Sequence, residues 1–248
     1  MSPVSFDTHD NCCKDSRSKD ACTKETRTVE ESHVRLTLEG ERVCDFFCTP
    51  RELAELCIGQ LYLRGIIHSA EEVFLEGTQT ESTQTEQPKE IIAHLLPHAE
   101  KKGAAGIGNE GKGSAPLPPI AVLREAASRM FSLAEIYPVC GGVHCAALLE
   151  ERNIVAFKED IGRHNAMDKV IGQALQEKRD FSRLVYLTSG RVNAEIIHKA
   201  ARAGLHIVVS RSIVSTIALK TAVEQGIGLV GRIEWKEPIV YEETFRKK

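Results

Sequence analysis

The chain has no CxxC pair, a single tryptophan, only 5% aromatic residues and no excess of basic charge. Each absence excludes something. Without a run of about 18 apolar residues, no membrane-spanning helix is expected. Without CxxC, the commonest zinc-cluster spacing is missing. The eight cysteines do not pair by spacing, so they read as free thiols or small buried hydrophobes of a reducing compartment, not as a disulfide framework. Lys and Arg number 32 against 35 Asp and Glu, a net charge of -3, which is not the footprint of a general nucleic-acid binder. The N-terminal stretch MSPVSFDTHDNCCKDSRSKD lacks the apolar centre of a signal peptide. A cytoplasmic protein with neither membrane nor nucleic-acid partners is expected.

What is present suits a globular protein. Apolar residues make up 42% and charged residues 27% of 248, enough for a sizeable core in one or two domains. Residues 1–30 are polar and aperiodic and are expected to be disordered. In HVRLTLEGERVCDFFCTP two alternating apolar runs flank EGER, a hairpin signal. Next, TPRELAELCIGQLYLRGII predicts a helix. Thr49 is placed to cap it, Pro50 suits its first position, Glu52 completes a capping box and Gly65 can end it. Leu53, Leu56, Cys57 and Leu61 share one face. These elements form an N-terminal α+β subdomain over residues 31–100. A Gly- and Pro-rich linker, 101–119, separates it from a C-terminal domain over 120–248.

That second part is regular. IAVLREAASRMFSLAE predicts a helix, and HCAALLE and NIVAFKED predict strands. Three units then share one design. NIVAFKE leads through DIGRH to a helix from Asn165, RLVYLT through SGR to a second, and LHIVVS through RSIVS to a third, before a last strand, IGLVG. Such alternation predicts a largely parallel α/β sheet with helices on its faces.

In such a sheet the strand-to-helix loops gather at the carboxyl edge, where ligands bind. Each loop supplies an arginine, Arg163, Arg191 and Arg211, beside the small residues Gly162, Ser189 and Gly190, or Ser212 and Ser215. Glycine admits a ligand to the backbone, helix N-termini favour anions, and arginine offers a fork suited to phosphate oxygens. The three loops together suggest an extended anionic ligand, a nucleotide or pyrophosphate. His164 joins this set. Asn165 reads equally as a helix cap with Asp168 as its partner, and Lys169 reads as a solvated helix residue. In VCGGVHCAALL, Gly141, Gly142 and His144 are further candidates. Zinc on Cys140, His144 and Cys145 would lack both a usual spacing and a fourth ligand.

The stretches DFFCTPRELAELCIGQLYLRGII, CGGVHCAAL, EDIGRHNAMDKVIG and TSGRVNAEIIHKAARAGLHIVVS together resemble the FdhD family of formate dehydrogenase accessory proteins, over residues 34–241. The resemblance implies a cytidine deaminase-like three-layer C-terminal domain, here without the deaminase zinc signature. It implies a sulfur carrier that takes persulfide sulfur from a cysteine desulfurase. The sulfur passes to the molybdenum bis-guanine-dinucleotide cofactor, which then enters the formate dehydrogenase apoenzyme. A homodimer is implied as well. The cofactor-binding set carried over is Gly141, Gly142, His144, Asp160, Gly162, Arg163, His164, Asn165, Asp168, Lys169, Ser189, Gly190, Arg191, Arg211 and Arg232.

The sequence also departs from the family pattern. Family members carry CGxCGK ahead of the second domain, with persulfide-bearing cysteines; here IGNEGK puts Ile107 and Glu110 at those positions. Neither side chain can carry a persulfide. Sulfur transfer would need another thiol, for which Cys140 and Cys145 are candidates. Near the end, GRIEWKE stands where the family resembles GFxRxGR, so Arg232 replaces an aromatic and Glu234 and Glu237 replace basic residues. Each carboxylate would oppose bound phosphate by about 1 kcal/mol or more if partly buried. Two rival functions follow: a cofactor-binding chaperone without sulfur transfer, and a nucleotide-acting enzyme of the deaminase fold.

Overall fold

Val34, Leu36 and Phe46 alternate with polar neighbours in two strands, β3 (Ser32–Leu38) and β4 (Glu41–Cys48), that pair antiparallel as the sequence predicts. The computed structural model describes residues 22–23, 28–78, 89–96 and 116–245. Ahead of the hairpin, β1 (Cys22–Thr23) and β2 (Thr28–Val29) form a short antiparallel ladder inside the stretch expected to be disordered. Ile107 and Glu110, expected to stand where the resemblance implies cysteines, lie outside the described residues, as does most of the expected linker.

Helix α1 (Leu53–Arg64) buries Leu53, Leu56, Cys57 and Leu61 and ends on Gly65 in the left-handed region, φ 71, as expected of a glycine C-cap. Its start differs from the expected capping box. Glu52 occupies the N-cap position at φ 49 and no side chain caps the helix. Thr49 is unavailable because it is drawn into the interior, where its backbone N–H and hydroxyl donate to Asp160 Oδ2 at 3.2 and 3.0 Å. Strands β5 (Val73–Glu76) and β6 (Lys89–Leu95) complete a four-stranded mixed sheet in the order β4-β3-β6-β5.

The second sheet has the order β12-β11-β10-β9-β7-β8. Its strands are β7 (His144–Glu150), β8 (Asn153–Asp160), β9 (Leu184–Thr188), β10 (Ile207–Ser210), β11 (Gly228–Gly231) and β12 (Ile239–Val240). The expected largely parallel sheet needs correcting. Only β9, β10 and β11 pair parallel, whereas β7 runs antiparallel between β8 and β9. The reason is local. Glu151, at φ 54, turns the chain directly from β7 into β8, so the two form a hairpin and not a crossover unit. β8 therefore still points the same way as β9 and β10. The N-terminal end of β7 comes to lie at their carboxyl edge.

Helices cover both faces. Helix α2 (Ile120–Ser132) lays Leu123, Ala126, Ala127 and Met130 on the face formed by Cys145, Ala147, Leu149, Val185 and Leu187. On the opposite face pack α4 (Arg163–Gln176), α5 (Ala194–Ala203) and α6 (Thr216–Gln225). The short α3 (Tyr137–Cys140) leads into β7. The α4 side shares one apolar core with α1 and the first sheet. The α1–α4 crossing is close, because Gly59 faces the Asp168 carbonyl and Gly172 faces that of Glu55. A Cβ at either glycine would overlap the opposing backbone. No helix among the described residues is long and apolar enough to cross a membrane.

Candidate functional site

The loops after β8, β9 and β10 lie at one edge, where hydrogen bonds tie the β9 loop to β7 and to the β10 loop. Ser189 N donates to Cys145 O at 2.9 Å, and Arg211 N donates to Thr188 O at 2.9 Å. Ser210 Oγ donates to Gly190 O at 2.7 Å. Asn193 caps α5 by accepting from Ile196 N, and Ser215 caps α6 by accepting from Ala218 N. Helix α4 starts two residues before the expected Asn165, at Arg163, with Gly162 as its N-cap. Asn165 is therefore inside the first turn, and its Nδ2 donates to Phe47 O and Asp160 Oδ1.

Four of the expected residues converge. Gly190 packs under Arg163 and His144: a Cβ there would lie 3.1 Å from Arg163 Cβ and 3.3 Å from His144 Nδ1. Ser189 Oγ accepts from Cys145 N at 2.9 Å and sits 3.4 Å from His144 Nδ1. Burial lowers the His144 pKa, and the cationic Arg163 and Arg191 lower it further, against the pull of Asp160. His164 is lowered from 6.5 to about 4, chiefly by burial and further by Lys199, Arg163 and His144, while Glu195 opposes. Both imidazoles are thus neutral at pH 7. His164 Nε2 lies 3.4 Å from Asn193 Nδ2 and 3.5 Å from Glu195 Oε2.

Two buried polar atoms at this place have no hydrogen-bond partner among the described residues: Arg163 Nε and His164 Nδ1. An unsatisfied buried group costs about 1–3 kcal/mol, so such atoms mark either strain or a ligand position. Arg191 is exposed and makes no hydrogen bond or ion pair among the described residues. Gly141 and Gly142, both exposed, line the entry to β7, where Val29 lies 3.6 Å from the position of a Gly142 Cβ.

Other expected residues are placed elsewhere or otherwise engaged. Lys169, read as solvated, is fully buried, with Nζ 2.7 Å from Asp160 Oδ2 and 2.9 Å from Thr49 Oγ1. Asp160 also accepts from Gly162 N and Asn165 Nδ2. Asp168 is no partner to a capping Asn165; it is buried against Lys199 Nζ at 2.7 and 2.9 Å. All three side chains are thus engaged in bonds within the protein. Arg211 reaches toward the α2 face, and Arg232 lies with its guanidinium 3.6 Å from the Trp235 ring centre. The engaging partners Tyr137 and Glu195 carried no signal in the local pattern, and Thr49 showed only as a helix cap, since each acts here through a contact distant in sequence or on the next helix.

The thiols differ in access. Cys145 is fully buried and its pKa is pushed up to about 12 by burial and then by Glu159. Glu159 is itself saturated, accepting from the backbone N–H groups of Glu135, Ile136 and Tyr137. Cys140 is half-buried, and Gly142 N donates to its Sγ at 3.5 Å. No group of three or more His, Cys, Asp or Glu side chains is placed to hold a metal ion among the described residues.

Comparison with known proteins bears on this arrangement. The chain is 28% identical over 253 residues to a sulfur carrier protein FdhD of Streptomyces avermitilis, covering 90% of each. It is 31% identical over 231 residues to that of Shouchella clausii, covering 86% of each. A crystal structure assigned as a formate dehydrogenase accessory protein from Desulfotalea psychrophila matches 86% of both chains, with a TM-score of 0.68. At 24% identity that likeness speaks for the fold. The FdhD/NarQ family model matches residues 29–248, and the chain belongs to that family.

Proposed function

We propose that this protein is an accessory factor in formate dehydrogenase maturation that holds the guanine-dinucleotide parts of the molybdenum cofactor at the carboxyl edge of its second sheet. The cofactor is cargo on this reading, delivered to the formate dehydrogenase apoenzyme. The observation that carries it is the pair of orphaned buried atoms, Arg163 Nε and His164 Nδ1, beside the unengaged Arg191. A pyrophosphate oxygen would satisfy donors there, and the α4 N-terminus adds a favourable dipole. Neutral imidazoles at His144 and His164 can each donate or accept without adding charge. The cytidine deaminase-like arrangement belongs to the same reading, supported by helices on both faces of a sheet with an internal antiparallel strand. So do a cytoplasmic location, expected from the polar N-terminal stretch and the unpaired cysteines, and a homodimer, which the family resemblance suggests.

Titration of guanosine diphosphate into wild type and Arg163→Ala tests the binding reading. Wild type is expected to bind, and the substitution to weaken binding by about tenfold or more, the worth of one charge-assisted hydrogen bond. Equal affinity for both chains would rule out this site.

A second reading adds sulfur transfer through Cys140, since Ile107 and Glu110 cannot carry it. It is favoured by the access of Cys140, which is only half-buried and lies beside the exposed Gly141 and Gly142. The Cys140 thiolate would attack the outer sulfur of the desulfurase persulfide, leaving the desulfurase cysteine as thiolate. Incubation with a cysteine desulfurase and cysteine, followed by mass spectrometry, tests it. Addition of one sulfur atom at Cys140 supports transfer; an unmodified Cys140 leaves a pure cofactor binder.

A further inference from the structure

Arg211 follows β10 as Arg163 follows β8 and Arg191 follows β9, yet its side chain is held differently. Its Nε lies 2.6 Å from Glu234 Oε2, and its Nη1 donates to Tyr137 Oη at 2.7 Å. The guanidinium also stacks over Phe131, 4.7 Å from the ring centre. Glu234 comes from the turn after β11, and that turn is fastened to the Arg211 loop. Arg232 N donates to Ser212 O at 2.9 Å and Ile233 N to Ser210 O at 3.1 Å. Arg232, with φ 51, is committed to the Trp235 ring. The edge therefore has two halves. On the α4 side, Arg163 and Arg191 have donors to offer. On the α2 side, Arg211 is bonded to a carboxylate and Arg232 lies against an aromatic ring.

An anion approaching Arg211 would meet the Glu234 carboxylate at the guanidinium edge it needs. Displacing it would sacrifice a charge-assisted bond and leave two negative groups side by side. We propose that Glu234 is a specificity-determining residue: it withholds Arg211 and limits the edge to one pyrophosphate, held by the loops of Arg163 and Arg191. The inference rests on the reading above that this edge holds an anionic nucleotide.

A double-mutant cycle on the full chain, with calorimetric titration of guanosine diphosphate, separates the two claims. In wild type, Arg163→Ala is expected to weaken binding about tenfold, while Arg211→Ala leaves it within about twofold. Glu234→Ala is expected to tighten binding by about fivefold to tenfold, and adding Arg211→Ala to abolish that gain. Glu234 is exposed on a turn, so its removal spares the core. If Arg211→Ala weakens wild type as much as Arg163→Ala does, Glu234 withholds nothing and the inference falls while the nucleotide reading stands. An unchanged affinity in Glu234→Ala overturns it too. Binding only after Glu234→Ala would overturn it, because the loops of Arg163 and Arg191 would then hold no pyrophosphate in wild type. No binding by either chain overturns both claims together.

Discussion

Lys169 Nζ lies 2.7 Å from Asp160 Oδ2, with neither side chain exposed to solvent. The pair joins the end of β8 to α4, and through Thr49 it ties in the chain that enters α1. Breaking one side of a buried pair leaves an uncompensated charge, typically a loss of about 3–5 kcal/mol. Lys169→Met is expected to destabilise the protein by about that amount in urea unfolding, and Lys169→Met with Asp160→Asn by less. A single substitution within about 0.5 kcal/mol of wild type would show the pair to be dispensable.

Gly59 and Gly172 set the α1–α4 crossing. Alanine inside a helix is ordinarily favoured over glycine by about 1 kcal/mol. Here the added methyl would overlap the Asp168 carbonyl from Gly59 and the Glu55 carbonyl from Gly172, so the sign is reversed. Each Gly→Ala change is expected to lower stability by about 1–3 kcal/mol, the range for overpacking. A raised thermal midpoint in either variant would mean that the crossing is looser than described.

His164 makes stability depend on pH in a stated direction. Its folded pKa, about 4, lies below the ordinary 6.5, so between those values the unfolded chain takes up a proton that the folded chain refuses. Stability is thus lost as pH falls from 6.5 toward 4. The groups acting on it are Lys199, Arg163 and His144, which lower its pKa, and Glu195, which raises it. Buried Asp168, raised to about 6 by burial against the pull of Lys199, contributes in the opposite sense over much of this window. The comparison must therefore be between wild type and His164→Asn. The variant is expected to lose less stability between pH 7 and pH 5. A histidine NMR titration should give a midpoint well below 6.5, moved lower still by Glu195→Gln.

Thiol access separates the two cysteines near the edge. Cys145 is fully buried with a pKa pushed up to about 12, whereas Cys140 is half-buried. Because the thiolate is the reactive form, iodoacetamide at pH 8 is expected to label Cys140 in the folded protein. Cys145 should remain protected until denaturant is added. Peptide mass spectrometry reads both positions, and equal labelling of the folded chain would contradict the burial described.

Much of this was legible in the sequence because it is local. The β3–β4 hairpin follows from alternation around EGER, the buried face of α1 from helical spacing, and its end from Gly65. The edge loops were legible because the strands that feed them are short apolar runs with small residues and an arginine at their ends. The direction of β7 was not, since a hairpin through Glu151 and a longer connection begin from similar strands. The roles of Lys169 and Thr49 were hidden for a different reason. A lysine on a helix is ordinarily solvated, and only a carboxylate brought from another element makes its burial tolerable.

The amino-acid sequence alone specified the β3–β4 hairpin, helices α1 and α2, the strand-and-helix units with their three arginine-bearing loops, and the family. Periodicity, composition and motif spacing are properties of neighbours along the chain. Only the tertiary structure decided which arginines remain open. Among the described residues Arg163 keeps an unpartnered Nε, while Arg211 is taken by Glu234, 23 residues away in sequence, and by Tyr137. Whether a charge is offered to a ligand or spent within the protein depends on what the fold places within about 3 Å of it, and no local pattern encodes that distance.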